Sequence, residues 1–419
     1  MSLPEFLGSY QGGRTCAGAQ VNGWRKQGET GIGELVTNKI VTNKMNERIH
    51  KKLNQKQMKL LALLLVGFSV PGAITLAAGN TEAAAGNKKV IGYYMDASDD
   101  YYKAGFQVFK ALASKAGWQV LDVVGQGTAP EQVSAIEDFI TQKVDALVVV
   151  QNSPETTAEC LKKAEAAGIP EFHLTHNPPN KPGLAGFSGF DWVYDGELAA
   201  QSAVKHDVKK LVMIEGKLGQ GTAAGQTQGF LQGYKKAGKD IGNLLDSVGV
   251  KGAGGKDLQV VFWGSGGWFA DPAKKVMQDA ITSLGPDGFD GAYVQNDEMM
   301  TGALQAMQEA GLDPSKYWLG SSNGKEKSWD WVAKGLVTMD VNQCPTLEAD
   351  IAFQQVTAYF AKQPYKKAVF VNFMPYEKDT VDKSKMIPWI LDDYMAKREA
   401  NAFKYDINDP VFRANPVYQ

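Results

Sequence analysis

A chain of 419 residues with a formal net charge of −2 and an apolar share of 44% is long enough for two or three domains and needs no staples to build its cores. The near-neutral balance removes any general electrostatic ground for a nucleic-acid partner. Cys16, Cys160 and Cys344 lie far apart with no CxxC pair, which argues against a disulfide framework or a metal site.

Residues 1–44 lack apolar periodicity and are rich in Gly, Thr and Asn; they read as disordered and without function, and Met45 or Met58 would make a more natural start. The basic stretch KKLNQKQMK (51–59) leads into LLALLLVGFSV (60–70), an apolar core too short to span a bilayer comfortably. Pro71, Gly72 and small residues up to Ala83-Ala84-Ala85 follow. This order of charge, apolar core and small residues predicts a secretory signal peptide within 45–85, cleaved after Ala85 or Ala78, and hence an exported, periplasmic protein. No cysteine follows the apolar core, which disfavours a lipid anchor.

From Lys88 short β-rich runs alternate with amphipathic helices. KKVIGYYM (88–95) is a strand, and YKAGFQVFKALASKAG (102–117) a helix stopped by Gly117. WQVLDVV (118–124), VDALVVVQ (144–151) and IPEFHLTH (169–176) are strands, separated by helices over 131–143 and 155–168. The rhythm restarts after Trp192: a helix over ELAAQSAVKH, a strand over KKLVMIEG, a helix over AAGQTQGFLQGYKKAG, and a strand over LQVVFWG. A helix over AKKVMQDAITSLG, a strand over FDGAYVQ, a helix over DEMMTGALQAMQEAG and a strand over YWLGSSN complete it. Near-continuous apolar strands between helices imply parallel sheets covered on both faces. The pattern runs twice, so the expected architecture is α/β, in two lobes. Ligands of such sheets bind beyond the carboxyl ends of the strands. Those ends are Met95–Asp100, Gln151, Thr175–His176, Gly216–Gly221, Trp263–Trp268, Gln295–Asp297 and Ser321–Asn323.

The turn LVMIEGKLGQGTAAGQTQGF (211–230) matches G-x-G-x-x-G/A at Gly219, Gly221 and Ala224. A dinucleotide would need a carboxylate at the end of the following strand, and VVFWGSGGW has none. No Lys-Ser/Thr pair of a P-loop is present either. Close strand-to-helix packing explains the glycines instead. The four histidines show no HExxH spacing, and no G-x-S-x-G elbow occurs, so nothing points to an enzyme.

FDGAYVQNDEMMTGALQAMQEAG (289–311), the Tyr101-Tyr102 pair, IPEFHLTHN, SGFDWVYDGELAA and VNQCPTLEADIAFQQV stand in an order that resembles the type I periplasmic (solute-)binding proteins of ABC importers, of ribose and galactose type, over roughly 88–376. The resemblance implies two Rossmann-like parallel-sheet lobes joined by a three-strand hinge. Crossings would fall near 190–193, 343–346 and 373–377, with 88–191 plus 345–375 in the first lobe. Residues 192–343 plus 376–419 would form the second lobe and tail. It implies capture of a small neutral sugar or polyol, delivery to a membrane permease, a monomer and no cofactor or metal. A ligand-sensing module for a chemoreceptor or sensor kinase is the alternative. A cytoplasmic repressor of the same fold would need an N-terminal helix-turn-helix, where a signal peptide stands instead.

Carried onto this chain, Tyr101, Tyr102 and Trp268 are similar to the aromatics that sandwich the sugar ring, Trp268 on the polar glycine loop GSGGWFADP. Asp99 would accept from hydroxyls or cap the following helix. Asn296 is similar to the family's amide ligand, while Asp297 reads as the helix cap. Gln151, Gln226, Asn323 and Gln343 stand where the family places amides or charged ligands. The ribose-type Asp-Arg pair and second Arg are replaced here by Thr175, His176 and Gln226, which puts ribose itself in doubt. His176 could bond a hydroxyl or simply be a loop residue, and Asp191 reads as a hinge or cap residue.

Overall fold

The computed structural model describes residues 88–176, 183–244, 254–371, 374–400 and 413–414. The expectations for residues 1–85, the signal peptide and Cys16 among them, lie outside the described residues.

In chain order the first part holds β1 (Val90–Met95), α1 (Asp100–Lys115), β2 (Gln119–Val124), α2 (Ala129–Thr141), β3 (Ala146–Val150), α3 (Pro154–Ala167), β4 (Glu171–Thr175) and β5 (Gly186–Gly189). The second holds α4 (Trp192–Lys205), β6 (Lys210–Glu215), α5 (Gly221–Lys236), β7 (Gln259–Ser265), α6 (Ala270–Leu284), β8 (Gly291–Val294), α7 (Asp297–Glu309), β9 (Trp318–Gly320), α8 (Glu326–Lys334) and β10 (Met339–Asn342). α9 (Pro345–Phe360), β11 (Ala368–Phe370), β12 (Met374–Glu377), α10 (Leu391–Glu399) and β13 (Arg413–Ala414) follow.

The strands form two sheets, ordered β13-β11-β5-β4-β3-β1-β2 and β12-β10-β9-β8-β6-β7. Every pairing is parallel except the two made by late strands, β11 with β13 and β10 with β12. In the first sheet, one face packs Ile91, Tyr93 and Val148 under α1 and α9, and the other packs Tyr94, Leu147 and Val149 under α2 and α3. Both faces are covered, which is why β3 reads ALVVV with every residue buried.

The chain passes between the sheets after β5, after β10 and after β11, the three places expected of the hinge. The tail then departs from its expected placement with the second lobe. β12 does join the second sheet, but β13 returns to the first, pairing Val369 with Ala414. α10 follows the same side. Arg398 on α10 donates to both carboxylate oxygens of Asp350 on α9, at 2.5 and 3.2 Å, and Tyr394 Oη donates to Asp350 at 2.8 Å. A buried carboxylate on α9 (3% exposed) needs a partner cation, and the tail supplies it.

The motif glycines Gly219 and Gly221 do not make the close packing expected of them, since a Cβ at either would meet nothing within 4 Å, and Gly219 instead has a left-handed backbone at φ 83°; the close packing is made by other glycines, between helices. A Cβ at Gly229 would lie 1.9 Å from the Val193 carbonyl, and one at Gly196 would lie 2.0 Å from the Gln226 carbonyl. Only hydrogen at both positions lets α4 and α5 cross this closely. α4 also begins five residues earlier than the apolar pattern suggests, because Asp191 caps it by accepting from Tyr194 N–H at 3.2 Å.

Candidate binding cleft

The carboxyl ends of the two parallel sheets face one cleft, with about 630 Å³ of non-atom space, its open mouth included. Ten of the eleven residues singled out from the sequence line it: Asp99, Tyr101, Tyr102, Thr175 and His176 from the first lobe, then Gln226, Trp268, Asn296, Asn323 and Gln343. Gln151 does not. It is buried behind the wall, where its Nε2 donates to the His176 carbonyl at 3.0 Å and Thr157 Oγ1 donates to its Oε1. Gln151 therefore fixes the loop that presents His176.

On the first lobe, Asp99 takes the capping role, one of the two left open by the sequence, from a position in the cleft wall. It caps α1 by accepting from Tyr102 N–H at 2.8 Å, and it still lines the cleft. Burial, then the neighbouring Asp100 carboxylate, push its carboxyl up to about 7, against the opposing pull of the Tyr102 N–H. Tyr102 Oη and the Thr222 hydroxyl hold the two ring nitrogens of His176 at 2.9 and 2.6 Å, so His176 bridges the lobes. Burial and the nearby Lys217 ammonium bring His176 down to about 4, leaving it a neutral imidazole. Tyr101 and Tyr102 meet edge-on at 6.0 Å and 88°, so together they make a corner, and a flat ring needs an opposing aromatic for its second face. Trp192, which donates its indole N–H to the Thr175 carbonyl at 3.0 Å, adds a further aromatic surface to the wall.

On the second lobe Trp268 lies over Gly216, where a Cβ would sit 2.2 Å from the indole ring, and donates Nε1–H to Gln220 Oε1 at 2.6 Å. Asn296, and not Asp297, caps α7. Its Oδ1 accepts from Met299 N–H at 2.8 Å, and its amide donates to the Trp268 carbonyl at 3.3 Å. Asp297 is the first helical residue and turns inward, accepting from Ser321 Oγ and Lys325 N–H; burial and the adjacent Asp340 push its carboxyl up. Asn296→Ala is therefore expected to cost the unliganded protein about 1 kcal/mol through the lost cap. Calorimetric melting checks this, and an unchanged melting temperature would mean that the Met299 N–H loses nothing.

Three residues of the wall have left-handed backbones that their side chains disfavour: Thr175 at φ 67°, Trp268 at φ 79° and Asn323 at φ 104°. Strain in a β-branched and a bulky aromatic residue persists only where the surroundings impose it, and such residues gather at functional sites.

The polar accounting singles out two amides. Gln226 donates to Asp195 Oδ2 at 2.5 Å and to the Gln295 carbonyl at 3.2 Å, and Gln343 donates to Tyr101 Oη at 3.2 Å. The Gln295 carbonyl can only accept, which fixes the Gln226 amide, and with Tyr101 Oη donating to Glu348 at 3.1 Å the Gln343 amide donates to Tyr101. Each is left with a buried Oε1 that has no donor among the described residues. Unpaired buried acceptors are rare and costly in finished structures. Among the described residues Lys325 is the one ammonium in the wall, already paired with Asp100 across the cleft at 2.5 Å, and no arginine lines it. The arrangement can accept hydrogen bonds from a neutral molecule that carries hydroxyls and apolar faces.

Sequence reasoning missed Thr222, Trp192, Lys325 and Trp389, while Gln295 stood among the strand ends without being singled out. Thr222 and Trp192 lie within quoted segments but carry no chemical signature there. Trp389 sits in the tail, where no pattern announced it. Among the described residues no cluster of His, Cys, Asp and Glu suits a metal ion, and no helix is long and apolar enough to cross a membrane.

A family model for the periplasmic binding protein domain matches residues 91–364. The galactofuranose-binding protein YtfQ of Escherichia coli K12 is 26% identical over 71% of this chain and 86% of its own length. The xylitol-binding protein of Mycolicibacterium smegmatis is 27% identical over 60% of this chain and 67% of its own. Among solved structures, a galactofuranose binding protein superposes with a TM-score of 0.62 at 22% identity, covering 75% of this chain and all of its own. The Caulobacter myo-inositol binding protein bound to myo-inositol gives 0.63 at 19% identity, over 71% and 95%.

Proposed function

The chain belongs to the periplasmic binding protein domain family, whose members bind solutes rather than transform them, and from that premise we propose that it captures a small neutral sugar or polyol and delivers it to the permease of an ABC importer. The observation that carries this is the pair of unpartnered acceptors, Gln226 Oε1 and Gln343 Oε1, in a cleft walled by Trp192, Trp268, Tyr101 and Tyr102. Hydroxyl groups supply the missing donors, and the aromatic faces cover C–H surfaces. The paired state of Lys325 and the absence of arginine argue against an anionic ligand. Ligands named for the relatives, a furanose and a polyol, have this chemistry.

The ligand enters from the mouth and is clasped by hinge closure of one lobe on the other, which shuts out water. Contacts that span the lobes are already made by His176 with Thr222, by Lys325 with Asp100, and by Lys217, which donates to the Gly127 carbonyl at 3.0 Å. The closed form, a monomer, is what the permease recognises. No cofactor or metal takes part. The residues proposed to touch ligand are Asp99, Tyr101, Tyr102, Gln226, Trp268, Asn296, Asn323 and Gln343, with Thr175 and His176 shaping the floor. The basic, apolar and small order of 51–85 makes the protein an exported one.

The test is a thermal-shift screen of protein purified from its native host, with pentoses, hexoses, polyols and furanoses. One class is expected to raise the melting temperature by several degrees, since binding to the folded form alone stabilises it. The mature N-terminus of the same preparation is expected near Gly86 or Gly79. A panel in which nothing shifts the melting temperature would overturn the ligand class, and an intact segment from Met58 would overturn export.

A further inference from the structure

The family match ends at residue 364, yet the segment after Glu377 reaches back into the cleft and puts Trp389 in its wall. Trp389 is 6% exposed and meets Tyr101 edge-on at 5.3 Å and 86°. Its position is tightly held. Ile387 N–H donates to Asn342 Oδ1 at 2.8 Å, and Asn342 Nδ2 donates back to the Ile387 carbonyl at 3.3 Å. Thr346 Oγ1 donates to the Pro388 carbonyl at 2.8 Å, and the backbone N–H groups of Trp389 and Ile390 both donate to Glu326 Oε1, at 2.7 and 3.1 Å. The backbone groups that hold this segment are thus paired, and the indole's own N–H is not. The Trp389 Nε1–H is buried and has no acceptor among the described residues. A fixed, buried donor beside a cleft is an expense the fold itself does not recover.

We infer that Trp389 is a ligand residue supplied by the C-terminal tail, its indole N–H donating to an oxygen of the captured molecule. Its counterpart is Gln343 Oε1, the unpaired acceptor on the amide bonded to Tyr101 Oη. Trp389 and Gln343 both abut Tyr101, one through its ring and the other through its hydroxyl. A donor and an acceptor so placed suit hydroxyl-bearing carbons, since a hydroxyl both accepts and donates. The Lys325 ammonium, 5.8 Å from the Trp389 ring centre, stands over the same indole. The tail thereby becomes a determinant of which sugar or polyol is kept, and this inference rests on the ligand class proposed above.

The test uses full-length protein with D-galactose, L-arabinose, D-ribose, xylitol and myo-inositol, taking forward whichever binds the parent most tightly. Trp389→Phe and Trp389→Tyr keep a ring and remove the indole N–H. In the variant whose unliganded melting matches the parent, affinity by calorimetry is expected to fall roughly fivefold or more, the loss of one buried hydrogen bond. Equal affinity would overturn the inference while leaving the ligand class intact. Collapse of the unliganded fold in both variants would show that the fold uses the N–H itself, and would overturn it too. A parent that binds none of the five while other solutes bind would instead overturn the ligand class.

Discussion

Trp268→Ala is expected to weaken ligand binding roughly thirtyfold while leaving the unliganded fold standing, because a buried aromatic at the centre of a closing cleft is worth ~2 kcal/mol or more. The indole lies on Gly216 of the second lobe and is tied to Gln220 through Nε1. It is presented from a left-handed backbone at φ 79°, a conformation that a residue serving only to fill a core has no reason to keep. Trp268 is only partly buried, so removing it opens little closed space in the second core. Affinity by calorimetry and the ligand-induced change in tryptophan fluorescence read the effect together. An unchanged affinity, or an unliganded protein that no longer folds, would place Trp268 in the core instead of the site.

The second large effect concerns Glu348, on the first turn of α9. It accepts from Tyr101 Oη and Thr175 Oγ1 through Oε2, both at 3.1 Å, while Oε1 is buried without a partner. Burial pushes its carboxyl up to about 8, against the pull of its two hydroxyl donors. A carboxyl raised in the folded state stabilises fully below its unfolded value, and that contribution drains away as pH rises through the folded value. Asp195 and Asp99, both pushed up to about 7 mainly by burial, drain in the same direction and are about half ionised at pH 7. Between pH 7 and 8 Glu348 makes the largest single contribution to the slope, with a smaller one from each aspartate. The parent is expected to lose up to ~1 kcal/mol over that unit of pH, a fall in melting temperature of about 2 °C. Glu348→Gln, which imitates the neutral form, is expected to flatten that fall and to be the more stable protein at pH 8. A parent and variant with parallel pH profiles would show that Glu348 is ionised in the fold throughout.

The two lobes were legible because parallel strands buried on both faces write long apolar runs, and ALVVV in β3 admits little else. β5 was not. Its four residues, GFSG, include two glycines and no β-branched residue, and their strand character comes from pairing with β4 and β11. The cleft lining was legible at strand ends, as at Asn296, and through the resemblance, as at Gln343. It was misread where two neighbours compete for one role: Asn296 holds the cap that Asp297 was expected to hold, because the cap position is one residue earlier than the carboxylate. Gln151 has the right residue type at the right strand end, yet its amide is consumed by the His176 carbonyl, which no linear pattern encodes. Trp389 was invisible because its contacts join Asn342, Thr346 and Glu326, residues more than forty positions away.

The return of β13 to the first sheet separates the order of synthesis from the order of assembly. That sheet begins with β1, but the second neighbour of β5 is made only with β11, and the neighbour of β11 only with β13, after the whole of β6 to β10. Until then β5 presents an open edge, the kind of template that recruits wrong partners. A chain ending after β5 or after β10 therefore lacks the strand that covers this edge, and one ending after β11 still lacks β12 of the second sheet. The first sheet is thus finished by two short late strands, β11 and β13, paired through Val369 and Ala414.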